Sequence, residues 1–273
     1  MAAIAAAAGI LSDQGPGPYE YESIRGQIVE IYGRGIYRHM SAEVAVQGIA
    51  QDYVTLLIAI PLMLISFFYA RRGSLKALFL LTGTLGYFLV TYLFYTAMGM
   101  YNVMFLGYVS LLAASFFAFI LIFFSISPDP LPGIFRPRIP IRLAGGFLMF
   151  NAVAIAFLWL SMVVPPLLDG TIIPPQVEHY TTLIVQGFDL GLLLPAAFVS
   201  GLLAFKKRPY GYLLTTTYLI FLSIMMMALT AKIIAMGIIG VDIIPVVFII
   251  PTFTVFAIAL STILLRGIRV NAH

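Results

Sequence analysis

Seven stretches of this chain are each long and apolar enough to cross a lipid bilayer. A hydrocarbon core of about 30 Å requires roughly 20 apolar residues per helix. The stretches cover residues 53–70, 75–98, 101–126, 143–166, 180–205, 210–237 and 243–265. Because hydrophobic residues make up 62% of the chain and charged residues only 10%, a soluble globular domain, a disordered chain and a nucleic-acid-binding protein are excluded. The predicted fold is therefore all-α: a polytopic transmembrane bundle of seven helices.

Positive charges predict the orientation of this bundle. Of the 15 Lys and Arg residues, most fall into alternate loops on one side: Arg71, Arg72, Lys76, Arg136, Arg138, Arg142, Lys206, Lys207, Arg208, Arg266 and Arg269. The other side receives only Arg25, Arg34 and Arg38, and Lys232 lies inside a span. Cytoplasmic loops carry the excess of positive charge. We therefore expect an extracytoplasmic N-terminus and a cytoplasmic C-terminus.

The chain divides into three predicted regions. Residues 1–52 form an extracytoplasmic N-terminal segment, residues 53–266 the transmembrane domain and residues 267–273 a cytoplasmic tail. The Ala-rich start of the chain lacks the positively charged region of a signal peptide, so we interpret it as an uncleaved tail. Apolar residues between positions 24 and 36 predict a helix at the membrane interface. No repeat with a period of 20–50 residues and no inverted repeat is evident.

Two charged residues lie inside predicted spans. Asp189 is roughly 13 Å deep in the fifth span and Lys232 roughly 12 Å deep in the sixth, at 1.5 Å per residue from the same side. Because a charge at membrane depth costs at least about 2.5–3.5 kcal/mol, each needs a partner or a water-filled cavity. We predict that they pair, either as a structural ion pair or as the lining of a binding site. Gly187, Gly191 and Pro195 make this part of the fifth span a predicted deformable element.

Other polar side chains collect at the same predicted depth. They are Tyr92 and Tyr95 in the second span, Asn102 and Tyr108 in the third, and Gln186 just before Asp189. Interfacial aromatic residues are ordinarily part of the aromatic belt. Tyr92 and Asn102 are harder to explain in that way. We predict a polar intramembrane pocket in the outer half of the bundle, open toward the extracytoplasmic side.

A second group of polar residues lies outside the spans on the same side. Asp52 is expected to cap the first span, and Glu178 and His179 lie in the loop between the fourth and fifth. Their spacing matches no metal-ligand motif, so no metal site is predicted. The chain has no cysteine, which excludes disulfides and thiolate sites. No catalytic residue and no cofactor is assigned.

The leading hypothesis is an integral membrane protein whose outward-facing pocket binds a small or lipidic ligand. It would act as a sensor, a transporter or a subunit of a membrane complex, with membrane lipids and either a partner subunit or a second copy as partners. The alternative is a membrane-embedded enzyme acting on a lipid or isoprenoid substrate, in which Asp189, Glu178 and His179 converge as acid and base groups. A purely structural subunit would instead have a fully satisfied polar network and no cavity.

Several short segments resemble a group of uncharacterised polytopic bacterial membrane proteins. They are Ala70-Arg71-Arg72-Gly73-Ser74-Leu75, Gly86-Tyr87-Phe88, Tyr101-Asn102 with Phe105 and Tyr108, Asp189-Leu190-Gly191, and Lys207-Arg208-Pro209-Tyr210-Gly211-Tyr212. The resemblance covers most of the membrane part and implies a multi-pass protein of a prokaryotic plasma membrane. It implies no activity.

Overall fold

The computed structural model describes residues 1–269 and is predominantly helical. Seven of its helices are long and apolar enough to cross a membrane, so the prediction of an all-α multi-pass protein is confirmed at that level. Residues 270–273 of the predicted tail lie outside the described residues. A short helix α1 (Ala2–Leu11) and a hairpin of β1 (Tyr19–Glu22) and β2 (Ile28–Ile31) precede the spans. The spans are α2 (Ala42–Ala70), α3 (Leu75–Ala97), α4 (Phe105–Ser125), α5 (Ile141–Asp169), α6 (Ile184–Phe205), α7 (Pro209–Ile238) and α8 (Val246–Gly267).

The first spanning helix begins at Ala42, well before the predicted start at residue 53. Asp52 is therefore not a helix cap. Its side chain is only 2% exposed and accepts hydrogen bonds from two tyrosines inside the bundle. Because its carboxylate oxygens are hydrogen-bonded, Asp52 can lie inside an apolar helix. A hydropathy profile, which does not include such hydrogen bonds, places the start of the helix after this residue.

The N-terminal segment contains a hairpin where the sequence predicted an interfacial helix, and that prediction is wrong. Tyr19 lies opposite Ile31 and Glu22 opposite Ile28 in the antiparallel ladder. Burial alternates along β2, which is the period of a strand and not of a helix. Gly26, with a φ of +76°, lies in the connecting turn, a left-handed conformation that glycine adopts without strain.

Two of the spanning helices widen locally into π-helix. In α2 this segment is Thr55–Ala59, and in α6 it is Asp189–Leu193. A proline follows each of them, Pro61 and Pro195. Because proline has no N–H group, it cannot donate to the carbonyl four residues earlier, and the turn relaxes. The π segment of α6 lies in the part of the fifth span that the sequence predicts to be deformable.

The widened segments are part of a longer internal correspondence. Positions 55–59, 61 and 75 in the first half match positions 189–193, 195 and 209 in the second at a constant offset of 134, from the π segment through the proline to the start of the next helix. Helices α2–α4 and α6–α8 thus cross the bundle in the same order of directions, although the third helices, which begin at Phe105 and Val246, do not keep the offset of 134. We call residues 42–125 unit 1 and residues 184–267 unit 2; α5 connects them.

The two units meet along their central helices. α3 packs against α2, α4 and α7, and α7 packs against α6, α8, α2 and α3. Gly83 of α3 approaches α7 so closely that a Cβ there would meet Ile220 and the carbonyl of Thr217. Residue 217 is the equivalent of residue 83 by the same offset. Equivalent positions therefore touch where the central helices cross, as a two-fold relation between the units requires.

The loops define two faces of the bundle. The N-terminal face carries α1, the hairpin and loops 98–104, 170–183 and 239–245. The basic face carries loops 71–74, 126–140 and 206–208. Nearly all arginines and lysines predicted to be cytoplasmic lie at or next to the basic face.

Candidate functional site

Asp52 is the centre of a buried hydrogen-bonded cluster near the N-terminal face. Tyr37 donates its hydroxyl to Asp52 Oδ2 at 2.6 Å, and Tyr95 donates to Oδ1 at 3.0 Å. Tyr37 comes from the turn before α2, and Tyr95 from α3. Charge-assisted hydrogen bonds to a carboxylate are short and strong. The cluster therefore fastens the N-terminal segment to both helices.

Three of the predicted site residues surround this carboxylate and not Asp189. The rings of Tyr92 and Tyr108 stack with centroids 6.3 Å apart, and Tyr95 meets Tyr108 edge-on at 5.2 Å. We call Tyr37, Tyr92, Tyr95 and Tyr108 the tyrosine cluster. Within the described chain, the buried hydroxyl of Tyr108 has no hydrogen-bond partner. Asn102 closes its own loop, donating to the carbonyl of Met100 and accepting from the N–H of Met104.

Helix α1 closes the tyrosine cluster from one side. Gly9 lies against the carboxylate, and a Cβ at this position would overlap Asp52 Oδ2 and approach the hydroxyl of Tyr37. Ala5 and Ala6 of the same helix are almost fully buried. Burial and the nearby carboxylate raise the pKa of Tyr37 well above its usual value, so its hydroxyl stays protonated and remains a donor. The Ala-rich start of the chain, predicted to be an uncleaved tail, is thus a helix that packs on the bundle.

Asp189 lies in the π segment of α6 and has a neutral partner. Trp159 of α5 donates its indole N–H to Asp189 Oδ2 at 2.8 Å. The predicted direct ion pair with Lys232 is not formed: the part of the chain that the structure describes has no contact within 4.0 Å between the two charged groups. The reason is geometric, because α5 places its indole against the carboxylate. Gln186 lies just before Asp189 on α6, at the position equivalent to Asp52 by the offset of 134.

Lys232 of α7 is close enough to both carboxylates for their charges to interact. Among residues 1–269 its ammonium group makes neither a side-chain hydrogen bond nor an ion pair within 4.0 Å. All three N–H donors of the lysine are therefore unused. We call Asp52, Asp189 and Lys232 the three-charge centre; unit 1 contributes Asp52, and unit 2 contributes the other two.

A second polar ladder lies beside the centre, and the sequence did not reveal it. Gln51 donates its side-chain N–H groups to Thr91 at 2.9 Å and to Tyr87 at 3.2 Å. The hydroxyls of Thr55 and Tyr87 are 2.8 Å apart. Thr55 is the first residue of the π segment in α2, so this ladder holds the widened turn against α3.

Glu178 and His179 lie apart from Asp52 in the loop between α5 and α6. The carbonyl of Glu178 accepts a hydrogen bond from Arg25 at 3.1 Å, and the His179 ring nitrogen Nε2 lies 3.0 Å from the carbonyl of His39. These contacts fix the hairpin and its neighbouring turn on the loop. Burial raises the pKa of the adjacent Tyr180 to about 12, so that hydroxyl also stays neutral.

The convergence that an enzyme of the proposed kind would need is not observed. Across the described residues, no group of three His, Asp or Glu side chains lies close enough together to hold a metal ion. Asp189 is bound to Trp159 inside the bundle, whereas His179 contacts the N-terminal segment. The three proposed acid and base groups therefore serve separate contacts.

A membrane-facing groove of about 420 Å³ runs between α2 and α7. Its walls include Val46, Ala50 and Tyr53 on α2, with Ala231 and Ala235 on α7. Tyr53 and Ala231 are next to Asp52 and Lys232 in the sequence, but these two charged side chains do not line the groove. The groove is lined by apolar and aromatic side chains, is of the size of a small-molecule site, and follows the boundary between units 1 and 2.

No family model, no curated protein and no solved structure matches this chain. The sequence segments quoted above are therefore the only support for a resemblance to uncharacterised polytopic proteins, and they carry no support for a bacterial origin.

Proposed function

We propose that this protein is a transporter of a lipidic or small amphipathic ligand, with its binding site at the three-charge centre. The observation that carries the proposal is the position of Lys232. The lysine is half-buried at the boundary between units 1 and 2, and its ammonium has three unused donors. Transporters built from repeated units bind substrate at such a boundary, next to helices that are locally interrupted. Here both α2 and α6 are interrupted beside the centre.

The charge of the centre supports coupling to protons. With both carboxylates ionised and the lysine protonated, the centre carries one excess negative charge. An uncompensated charge at membrane depth costs at least about 2.5–3.5 kcal/mol, so uptake of one proton or small cation stabilises the centre. A carboxylate that takes up a proton loses its negative charge, and its attraction to Lys232 becomes weaker. Ligand binding and proton binding are then linked through the same lysine.

The groove between α2 and α7 supports an amphipathic ligand. Its apolar walls fit a hydrocarbon portion, and Lys232 offers donors to an oxygen-bearing head group. Because the groove opens to the membrane, such a ligand enters it without crossing the loops. The unpartnered hydroxyl of Tyr108 and the unpartnered Oε1 of Gln51 add further polar groups on the unit 1 side.

Rocking of the two units is the movement that this architecture allows. The helices of each unit pack on their central helix, and the π segments with Pro61 and Pro195 lie in the first helix of each unit. Opening the boundary on one face closes it on the other. We expect two conformations whose ratio depends on pH, because the centre gains or loses a proton between them.

Distances between spin labels test this movement. The chain contains no cysteine, so labels attach only at introduced sites. One pair, Val103→Cys with Ile238→Cys, uses exposed positions near the N-terminal face, and a second, Arg72→Cys with Lys206→Cys, reports on the basic face. In lipid nanodiscs each pair is expected to show two distances, with populations that shift in opposite directions at the two faces as pH changes.

The matched control is a pair within unit 1, Arg72→Cys with Phe124→Cys, which is expected to give one distance at every pH. Asp189→Asn is expected to abolish most of the pH dependence of the pairs between units. A single distance for each of those pairs, unchanged from acidic to alkaline pH, would show that the units do not rock and would refute the transport proposal.

The charge distribution supports an extracytoplasmic N-terminal face in a plasma membrane. Cytoplasmic loops carry the excess of Lys and Arg, and the basic face has it. A single cysteine at Val103 is therefore expected to react with a membrane-impermeant maleimide on intact cells, and one at Lys206 only after the membrane is opened. The reverse labelling pattern would contradict this orientation.

A further inference from the structure

A second groove lies at the opposite end of the bundle, between α5 and α8, with the end of α6. It has a volume of about 480 Å³ and is lined by Leu143, Phe147, Phe150, Phe205, Phe256 and Leu260. Several of these rings contact one another, with Phe147 and Phe256 stacked at 6.3 Å. The walls are thus almost entirely hydrocarbon and face the membrane. No part of the three-charge centre lines this groove.

Arg142 is the one charged residue at this groove. Its guanidinium lies 5.8 Å from the ring centroid of Phe205, and in the described residues it forms no ion pair. Exposed Arg136, Arg138, Lys206 and Lys207 lie in the neighbouring loops, where Asp129 is the only carboxylate. A local excess of positive charge at a membrane boundary attracts anionic head groups.

We propose that this groove binds an anionic phospholipid. Its phosphate pairs with Arg142, which presents a planar set of donors suited to phosphate oxygens. One acyl chain lies along the phenylalanine-lined walls, where burial of its methylene groups provides the apolar part of the affinity. The positive loops favour an anionic over a zwitterionic lipid. This site is independent of the proposed transport function.

Gly146 allows the groove to be filled without disturbing the fold. A Cβ at this position would meet no atom within 4 Å, so a larger side chain extends into the open groove. Gly146→Leu is therefore expected to block the acyl chain, and Arg142→Gln to remove the charge. The matched controls are Gly133→Leu, which also has open space around its Cβ, and Arg138→Gln, an exposed arginine on the same face.

Native mass spectrometry of the purified full chain tests the site. The probes are phosphatidylglycerol and phosphatidylcholine with identical acyl chains. For the first lipid bound, we expect phosphatidylglycerol to bind the wild type at least about fivefold more tightly than phosphatidylcholine, and Arg142→Gln to remove about a fivefold preference, the effect of one basic residue at the surface. Gly146→Leu is expected to eliminate the first binding event for both lipids, whereas both controls retain it.

Equal affinity for the two lipids, or an unchanged preference in Arg142→Gln, would overturn the proposal. Binding of a second copy of the chain in place of lipid, lost in Gly146→Leu, would assign the groove to a dimer interface and also overturn it. The fluorescence of Trp159, the single tryptophan, shows in each variant that the bundle remains folded. Neither result depends on whether the two units rock.

Discussion

Lys232→Met is expected to lower the free energy of unfolding by about 3 kcal/mol at neutral pH, the scale of one uncompensated charge at membrane depth. The substitution keeps most of the apolar side chain and removes the positive charge that interacts with both Asp52 and Asp189. Both carboxylates then lose their electrostatic partner and must bind protons to remain inside the bundle. Unfolding of the protein by titration with a denaturing detergent, followed through Trp159, measures the loss.

A second substitution distinguishes the two carboxylates. Asp189→Asn in the Lys232→Met background is expected to recover most of the lost stability, and Asp52→Asn less. When Lys232 is removed, Asp52 still accepts hydrogen bonds from two phenols, whereas Asp189 accepts one from an indole. The double-mutant cycle isolates this coupling. Lys206→Met, at an exposed loop position, is the control; a loss in the control as large as in Lys232→Met would contradict the assignment.

The sequence predicts the spans because hydropathy depends only on composition along the chain. Six of the seven predicted helices agree with the structure to within a few residues at most of their ends. The first does not, because the helical periodicity continues through residues 42–52 and the buried partners of Asp52 come from distant segments. A hydropathy profile does not show that Tyr37 and Tyr95 donate hydrogen bonds to this carboxylate.

Sequence position gives the depth of a residue in the bundle but not the direction in which its side chain points. Asp189 and Lys232 are correctly placed on neighbouring helices, yet the indole of Trp159 takes the place predicted for the ammonium. The sequence likewise predicts part of the tyrosine cluster, but it groups these tyrosines with Asp189, whereas in the structure they lie near Asp52. A lone tryptophan within an apolar span was the available signal for the partner of Asp189.

The internal correspondence becomes visible only when the structure fixes the register. Pro61, Ser66 and Ala70 match Pro195, Ser200 and Ala204 at the offset of 134, but few other positions in these helices are identical. A search for short periods or for inverted repeats does not detect a parallel repeat of this length. The π segments identify it because each depends on a proline at the same distance.

Asp52→Ala is expected to lower the free energy of unfolding by about 1–3 kcal/mol, because it leaves the buried hydroxyl of Tyr37 without an acceptor, whereas Tyr95 keeps the carbonyl of Gly48 at 3.2 Å. The destabilisation is expected to be greatest in the N-terminal segment. Tyr37 and Gly9 both belong to the N-terminal segment, so hydrogen exchange of residues 1–41 is expected to accelerate before that of α3. Uniform acceleration through the whole bundle would contradict a local fastening role.

Gly9 provides the sharper test of this contact. In the wild type, Gly9→Ala places a methyl group on Asp52 Oδ2 and is expected to cost about 1–3 kcal/mol as overpacking. In the Asp52→Ala background the same methyl enters vacated space, and the higher helix propensity of alanine makes the change neutral or stabilising by up to about 1 kcal/mol. The sign of the Gly9→Ala effect should therefore depend on residue 52.

Gly187→Ala is the matched control, since a Cβ there would meet no atom within 4 Å. It is expected to be neutral or slightly stabilising in both backgrounds, because only helix propensity changes. If Gly9→Ala costs the same with and without the carboxylate, α1 does not pack on Asp52. The cluster would then be held by Tyr37 and Tyr95 alone, and α1 would have no part in enclosing the three-charge centre.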